Sequence, residues 1–227
     1  MAINTRPYTF TSKNKKMSVN QDAIPHLDIM QRHLRSFLKP EDFTFYSIKY
    51  DDNTDFHTFW IKPHPGFDFN LLLTCGLSSF PLKTPEKMPH LPNRVEFAIK
   101  MPKDWQPDFN SIEGYWPIEE MRFLAFYLME KREPVFVGRS FSCVTPDEDI
   151  KPHPFDALVV MPFKTFTEAF YKINTPNNSL LIYCLLPLFK DELDFKNNYT
   201  MNQFFEKLNE ADIEETVEID RQSFMAL

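Results

Sequence analysis

Nineteen prolines against four glycines constrain this chain more than any other feature of its 227 residues. Glycine turns a chain through positive φ without steric cost, whereas proline fixes φ near about −65° and offers no N–H donor. Loops built from such a supply are stiff, extended connections rather than tight glycine turns. Beneath them, 24 phenylalanines provide the bulk to fill a core, because each buried ring removes a large apolar area from water. With 43% hydrophobic and 25% charged residues, the chain has the make-up of an ordinary globular protein, and no linker-like stretch divides it.

Apolar spacing then places the elements. Ile24, Leu27, Met30, Leu34, Phe37 and Leu38 recur at helical spacing, behind a cap at Asn20 or Asp22 and with Pro25 in the first turn. That helix ends near Lys39 and Pro40. Phe43, Phe45 and Ile48 predict a strand and 56–62 a second, joined as a hairpin by Asp51, Asp52 and Asn53. Further strands are expected at 69–75 and 95–101. In the latter, Val95, Phe97, Ile99 and Met101 alternate with Glu96, Ala98 and Lys100, which predicts one buried face.

Trp116 and Pro117 open the strongest helix, with Met121, Leu124, Ala125 and Leu128 on one side. Glu119 and Glu120 suit its positive end, as Lys131 and Arg132 suit the other. Strands follow at 155–161 and 180–186, the second so continuously apolar that it belongs mid-sheet with both faces covered. A helix at 201–209 precedes an acidic tail. The order predicts an α+β fold, a single compact domain with a mixed β-sheet flanked by helices, spanning residues 17–227 behind a flexible polar tail at 1–16.

Charge excludes some functions. A net charge of −7 and an isoelectric point near 5.4 oppose nucleic-acid binding, which needs a coherent surplus of Lys and Arg. A basic protein partner suits the chain better. No apolar run has signal-peptide or membrane-spanning length, and Cys75, Cys143 and Cys184 have no metal-type spacing, so a reducing cytoplasm is expected. Four scattered glycines form no phosphate-cradling loop, and no cofactor is expected.

Three features invite a chemical reading. Cys75 sits in LLLTCGLSSFP, between an apolar strand and two hydroxyls. A nucleophilic thiol needs an activating neighbour, with His57, His64 and His153 as candidates, and a nucleophile elbow should lead into a helix. The following SSFPLKTPEKMP is not helical, so a buried strand residue is expected and no catalytic residue is assigned. The twice-occurring KPHP, around His64 and His153, supplies too few ligands for a metal; each copy predicts an extended lead-in to a strand with an exposed histidine. The pairs Glu119–Glu120 and Asp191–Glu192 are adjacent and point apart, which fits helix starts better than acid/base catalysis. The run Glu210, Asp212, Glu214, Glu215, Glu218 and Asp220 predicts a solvated face, or one that steers a basic partner.

Four segments, in order, resemble the Suppressor of fused family: TCGLSS at 74–79, RVEFAIKMPKDW at 94–105, YWPIEEMRFLAFYL at 115–128 and LLIYCLLPLFKDELDF at 180–195. EIDRQS at 218–223 has a similar character. The resemblance implies a mixed sheet flanked by helices and a protein-binding role. Animal members hold Gli-type transcription factors by clamping an extended peptide. The short chain resembles the stand-alone bacterial members, thought to be immunity proteins that neutralise polymorphic toxins by direct binding. Ser79 and Pro81 stand where the animal proteins have ligand-binding acidic and tyrosine positions, so the expected partner differs. The expected partner-binding residues are Ser78, Ser79, Phe80 and Pro81, with Asp212, Glu214 and Glu215 in the tail. The function expected is non-enzymatic binding of a protein, a basic toxin in the immunity reading. The alternatives are an intracellular scaffold for a peptide ligand and a cysteine hydrolase using Cys75.

Overall fold

The computed structural model describes residues 26–49, 55–143, 153–175 and 179–226. The tail at 1–16, the expected cap at Asn20 or Asp22, and the turn at 51–53 lie outside them. Among the described residues, eight strands form one sheet: β1 (Phe43–Lys49), β2 (Asp55–Ile61), β3 (Asn70–Thr74), β4 (Val95–Met101), β5 (Ser140–Ser142), β6 (Ala157–Met161), β7 (Lys172–Asn174) and β8 (Ser179–Leu188). Their spatial order is β1-β2-β3-β4-β8-β6-β5, with β7 also on β8. The first four form an antiparallel meander. β8 lies parallel to β4 and antiparallel to β6 and β7, which makes the sheet mixed.

Strand side chains alternate between faces, and the sheet is covered on both. One face packs Phe59, Leu71, Leu73, Ala98, Ile182 and Cys184 against helices α1 (Leu27–Arg35) and α5 (Met201–Glu210). The other packs Leu72, Phe97, Ile99, Val160 and Leu185 against α2 (Ile112–Lys131). Two short helices, α3 (Glu168–Tyr171) and α4 (Lys190–Asn198), complete the set. No described helix is long and apolar enough to cross a membrane.

The alternation in β4 predicts one buried face, but all seven of its residues are buried. Polar Glu96 and Lys100 are inside because both layers of helices cover the sheet there and internal partners meet their charges. β8 lies between β4 and β6 as its continuous apolarity predicts. Helix α2 starts at Ile112, behind an Ser111 cap that accepts from the Gly114 N–H, so Pro117 sits in the second turn rather than the first. The carbonyl that Pro117 leaves without a helical N–H is that of Glu113, whose side chain is exposed and where water can replace the missing donor. Gly114 is required at that start: a Cβ there would stand 2.6 Å from the Asp108 Cβ.

Candidate functional site

The strand β3 ends in a turn that needs glycine. Gly76 has φ 110°, a left-handed conformation that side chains oppose, and from it the chain enters a single 3₁₀ turn at Leu77–Ser79. The turn wraps around one carboxylate. Glu96 Oε1 accepts from the Gly76 N–H (2.9 Å), the Ser78 N–H (3.0 Å) and the Ser78 hydroxyl (2.7 Å), while Oε2 accepts from the Thr74 hydroxyl (2.5 Å). Thr74 Oγ1 in turn accepts from the Phe97 N–H at 2.8 Å. Burial raises the Glu96 pKa, and the hydrogen bonds from Thr74, Ser78 and Gly76 offset part of that rise. Outside the turn, His26 Nδ1 lies 2.9 Å from the Ser78 hydroxyl and Arg94 donates to the Ser78 carbonyl at 2.5 Å.

Cys75 is enclosed in this arrangement. It is 3% exposed, on the α1 side of the sheet, and burial, then the nearby Glu96, push its thiol pKa up. Activation of a nucleophile requires the opposite. Nor do the KPHP histidines serve it. His64 lies against Pro65 and Phe67, and His153 packs on Trp116 at 4.4 Å between ring centroids, in the cluster on the opposite sheet face from Cys75. The expectation of two exposed KPHP histidines needs correcting at both: His64 is half-buried, and His153 is only 4% exposed. Helix α2 and Phe155 close over it.

At the other end of β4, Lys100 and Glu215 form a buried pair at 3.4 Å. Glu215 also accepts from the Thr165 hydroxyl (2.6 Å) and from the backbone N–H groups of Lys164 and Thr165. The segment after α5 therefore does not lie wholly in solvent: Thr216 bridges in parallel to Lys100 and the Val217 N–H donates to the Lys100 carbonyl. Two further fasteners share this logic. The buried Asn70 accepts from the Trp60 indole (2.8 Å) and aims its amide at the carbonyls of Pro102, Lys103 and Trp105, gripping the MPKDW turn. Glu192 caps its own helix start at the Phe189 N–H and receives the Arg221 guanidinium, which also donates to the Pro187 carbonyl and lies 4.7 Å from the Phe189 ring. That joins KDEL of α4 to the EIDRQS segment.

The expected partner-binding residues separate accordingly. Ser78 and Glu215 are buried and fully engaged inside the fold. Ser79 and Phe80 are half-buried, while Pro81, Asp212 and Glu214 are exposed. The loop residues lie by Glu96 and the acidic ones by Lys100. Four strand positions separate these two anchors, about 13 Å, so the structure does not gather them into one site. The sequence signal for the fasteners was present but unspecific: charged or amide residues inside apolar strands, such as Glu96, Lys100 and Asn70.

Together these features define a class: a three-layer mixed-sheet α+β domain whose buried polar side chains fasten turns and chain segments to the sheet. The family model described as Suppressor of fused protein (SUFU) matches residues 50–222, and the chain belongs to that family. Among solved structures, it is similar to a SUFU homolog from Neisseria gonorrhoeae, with 18% identity over 87% of this chain and 95% of that one and a TM-score of 0.60. Drosophila Suppressor of Fused is also similar, with 13% identity over 88% of this chain and a TM-score of 0.51. The match spans 50% of the fly protein. No curated protein matches the chain.

Proposed function

We propose that this chain is a non-enzymatic protein-binding domain and, more narrowly, an immunity protein that neutralises a toxin by direct contact. One observation carries the binding reading: the family-like segments TCGLSS, MPKDW and KDEL with EIDRQS are held by interior bonds through Glu96, Asn70 and Glu192, and the candidate nucleophile is buried. Such a scaffold leaves its surface free to vary with the partner. The net charge of −7 and the exposed Asp212 and Glu214 support a basic toxin. The loop end, with Lys83, Lys87 and Arg94, is the less attractive end for such a partner. Co-expression with the product of the adjacent gene tests the reading. Rescue of growth together with co-purification supports it, and the absence of both overturns it.

A second reading, a scaffold that takes up a peptide by strand addition, rests on β1, a seven-residue strand at the end of the sheet order. A peptide partner should then shift the β1 amide resonances, whereas a toxin held at the acidic end should leave them in place.

A further inference from the structure

Glu120 of α2, Cys143 just after β5 and His153 ahead of β6 come from three separate stretches of the chain. Each offers one donor atom, and the three atoms lie within 4.8 Å of one another. We propose that these side chains bind one divalent ion of the zinc type, clipping helix α2 to the two segments beside β5 and β6. A thiolate, an imidazole and a carboxylate suit zinc, while calcium and magnesium prefer oxygen alone.

The geometry is close to what zinc requires. His153 Nε2 and Glu120 Oε1 are 3.3 Å apart. Two ligands held about 2.0–2.1 Å from a tetrahedral zinc are separated by about 3.3 Å, and a thiolate sulfur stands about 3.5 Å from either. With the donor atoms no more than 4.8 Å apart, the Cys143 sulfur has to come closer by at most about 1.3 Å to reach that place. The other two donors are positioned already. The His153 ring is fixed between Trp116 (4.4 Å) and Phe155 (5.8 Å), and the Cys143 backbone is tied by its N–H to the Asp156 carbonyl at 2.9 Å. The ring and the Cys143 backbone are thus held in place before an ion arrives. Beside His153, the buried indole Nε1 of Trp116 has no partner among the described residues.

Proton bookkeeping follows from the hydrogen bonds. The Phe155 N–H donates to His153 Nδ1 at 3.3 Å, so in the metal-free protein Nε2 holds the proton and faces Glu120. Zinc takes the Nε2 lone pair, the ring proton passes to Nδ1, and that long contact with Phe155 is given up. The Cys143 thiol loses its proton to solvent as sulfur binds the metal. One proton is therefore released for each ion bound.

The test uses the full chain, stripped with a chelator and dialysed. Zinc chloride should bind at one ion per chain, release one proton and raise the melting temperature. Cobalt chloride should give a thiolate-to-cobalt charge-transfer band. Cys143→Ser, at a half-buried position, should abolish the band and weaken zinc binding at least about tenfold while keeping the native circular dichroism spectrum. Replacing His64 and His90 with Gln should change neither. The proposal is overturned if no zinc is retained, if the cobalt spectrum lacks the sulfur band, or if Cys143→Ser binds zinc as tightly as the unaltered chain.

Discussion

Glu96 and Ser78 stand eighteen positions apart in the chain and 2.7 Å apart in the fold, carboxylate to hydroxyl. Because the same oxygen also accepts the Gly76 and Ser78 N–H groups, one side chain of β4 shapes the whole turn that leaves β3. Glu96→Ala should strand these buried donors at a cost of more than about 3 kcal/mol, and Glu96→Gln, which keeps one acceptor oxygen, about 1–2 kcal/mol. Urea unfolding measures both. A loss below about 1 kcal/mol for Ala would show that the turn holds itself.

The same residue sets a pH dependence. Its folded pKa is raised by burial, so between the unfolded value of about 4.3 and the folded one the native state holds more protons than the unfolded state. Stability from this group is complete below about pH 4.3 and is lost as pH rises through the folded value. Glu96→Gln, which cannot titrate, should therefore gain on the unaltered protein as pH rises above that point. Parallel unfolding curves across a pH series provide the comparison, and a gap that narrows as pH rises and widens on acidification is the expected result.

Lys100 and Glu215 predict an asymmetry. Glu215→Ala leaves the buried Lys100 ammonium with Thr165 (2.8 Å) and the Phe69 ring (4.2 Å), and should cost about 3–5 kcal/mol. In Lys100→Met, Glu215 keeps its bonds from Lys164 and Thr165, so the loss should be about 1–2 kcal/mol. Equal losses, measured by thermal and chemical unfolding, would contradict the geometry.

Arg221 lies with Glu192 in a buried, charge-assisted pair. Arg221→Ala should cost about 3–5 kcal/mol, and Arg221→Lys should recover only part of it because an ammonium cannot reach Glu192 and the Pro187 carbonyl with the same planar fork. Full recovery by lysine would count against the forked geometry.

Thiol reactivity separates the cysteines. Cys75 and Cys184 are buried with raised pKa values, while Cys143 is half-buried. Iodoacetamide followed by mass spectrometry should label Cys143 first in the metal-free native chain, and the other two only at the rate of unfolding. Labelling of Cys75 as fast as Cys143 would revive the hydrolase reading.

Much of the architecture is legible in local pattern. β4 spans Val95–Met101, as its alternation predicts, and the apolar stretch at 180–186 does lie mid-sheet. The helix at 201–209 is present with one residue more, and the pair Asp191–Glu192 does mark a helix start, though α4 as an element is not read from periodicity. The polar interior is where local reading fails. Glu96, Lys100 and His153 have the composition of surface residues, and nothing within a few positions of each identifies its partner. Of the candidate contact residues, Ser78 and Glu215 prove to be internal, because the groups they bond come from other strands.

By itself the sequence determined the longer apolar elements, such as β4, β8 and α5, whose spacing reflects where apolar side chains repeat. The tertiary structure alone decided which charges are buried. Glu215 lies 115 positions from Lys100, and a charge enters a low-dielectric interior only when the folded chain brings it a partner. That pairing is a property of the assembled layers, and it leaves Ser79, Phe80, Pro81, Asp212 and Glu214 as the expected contact residues not taken into the interior.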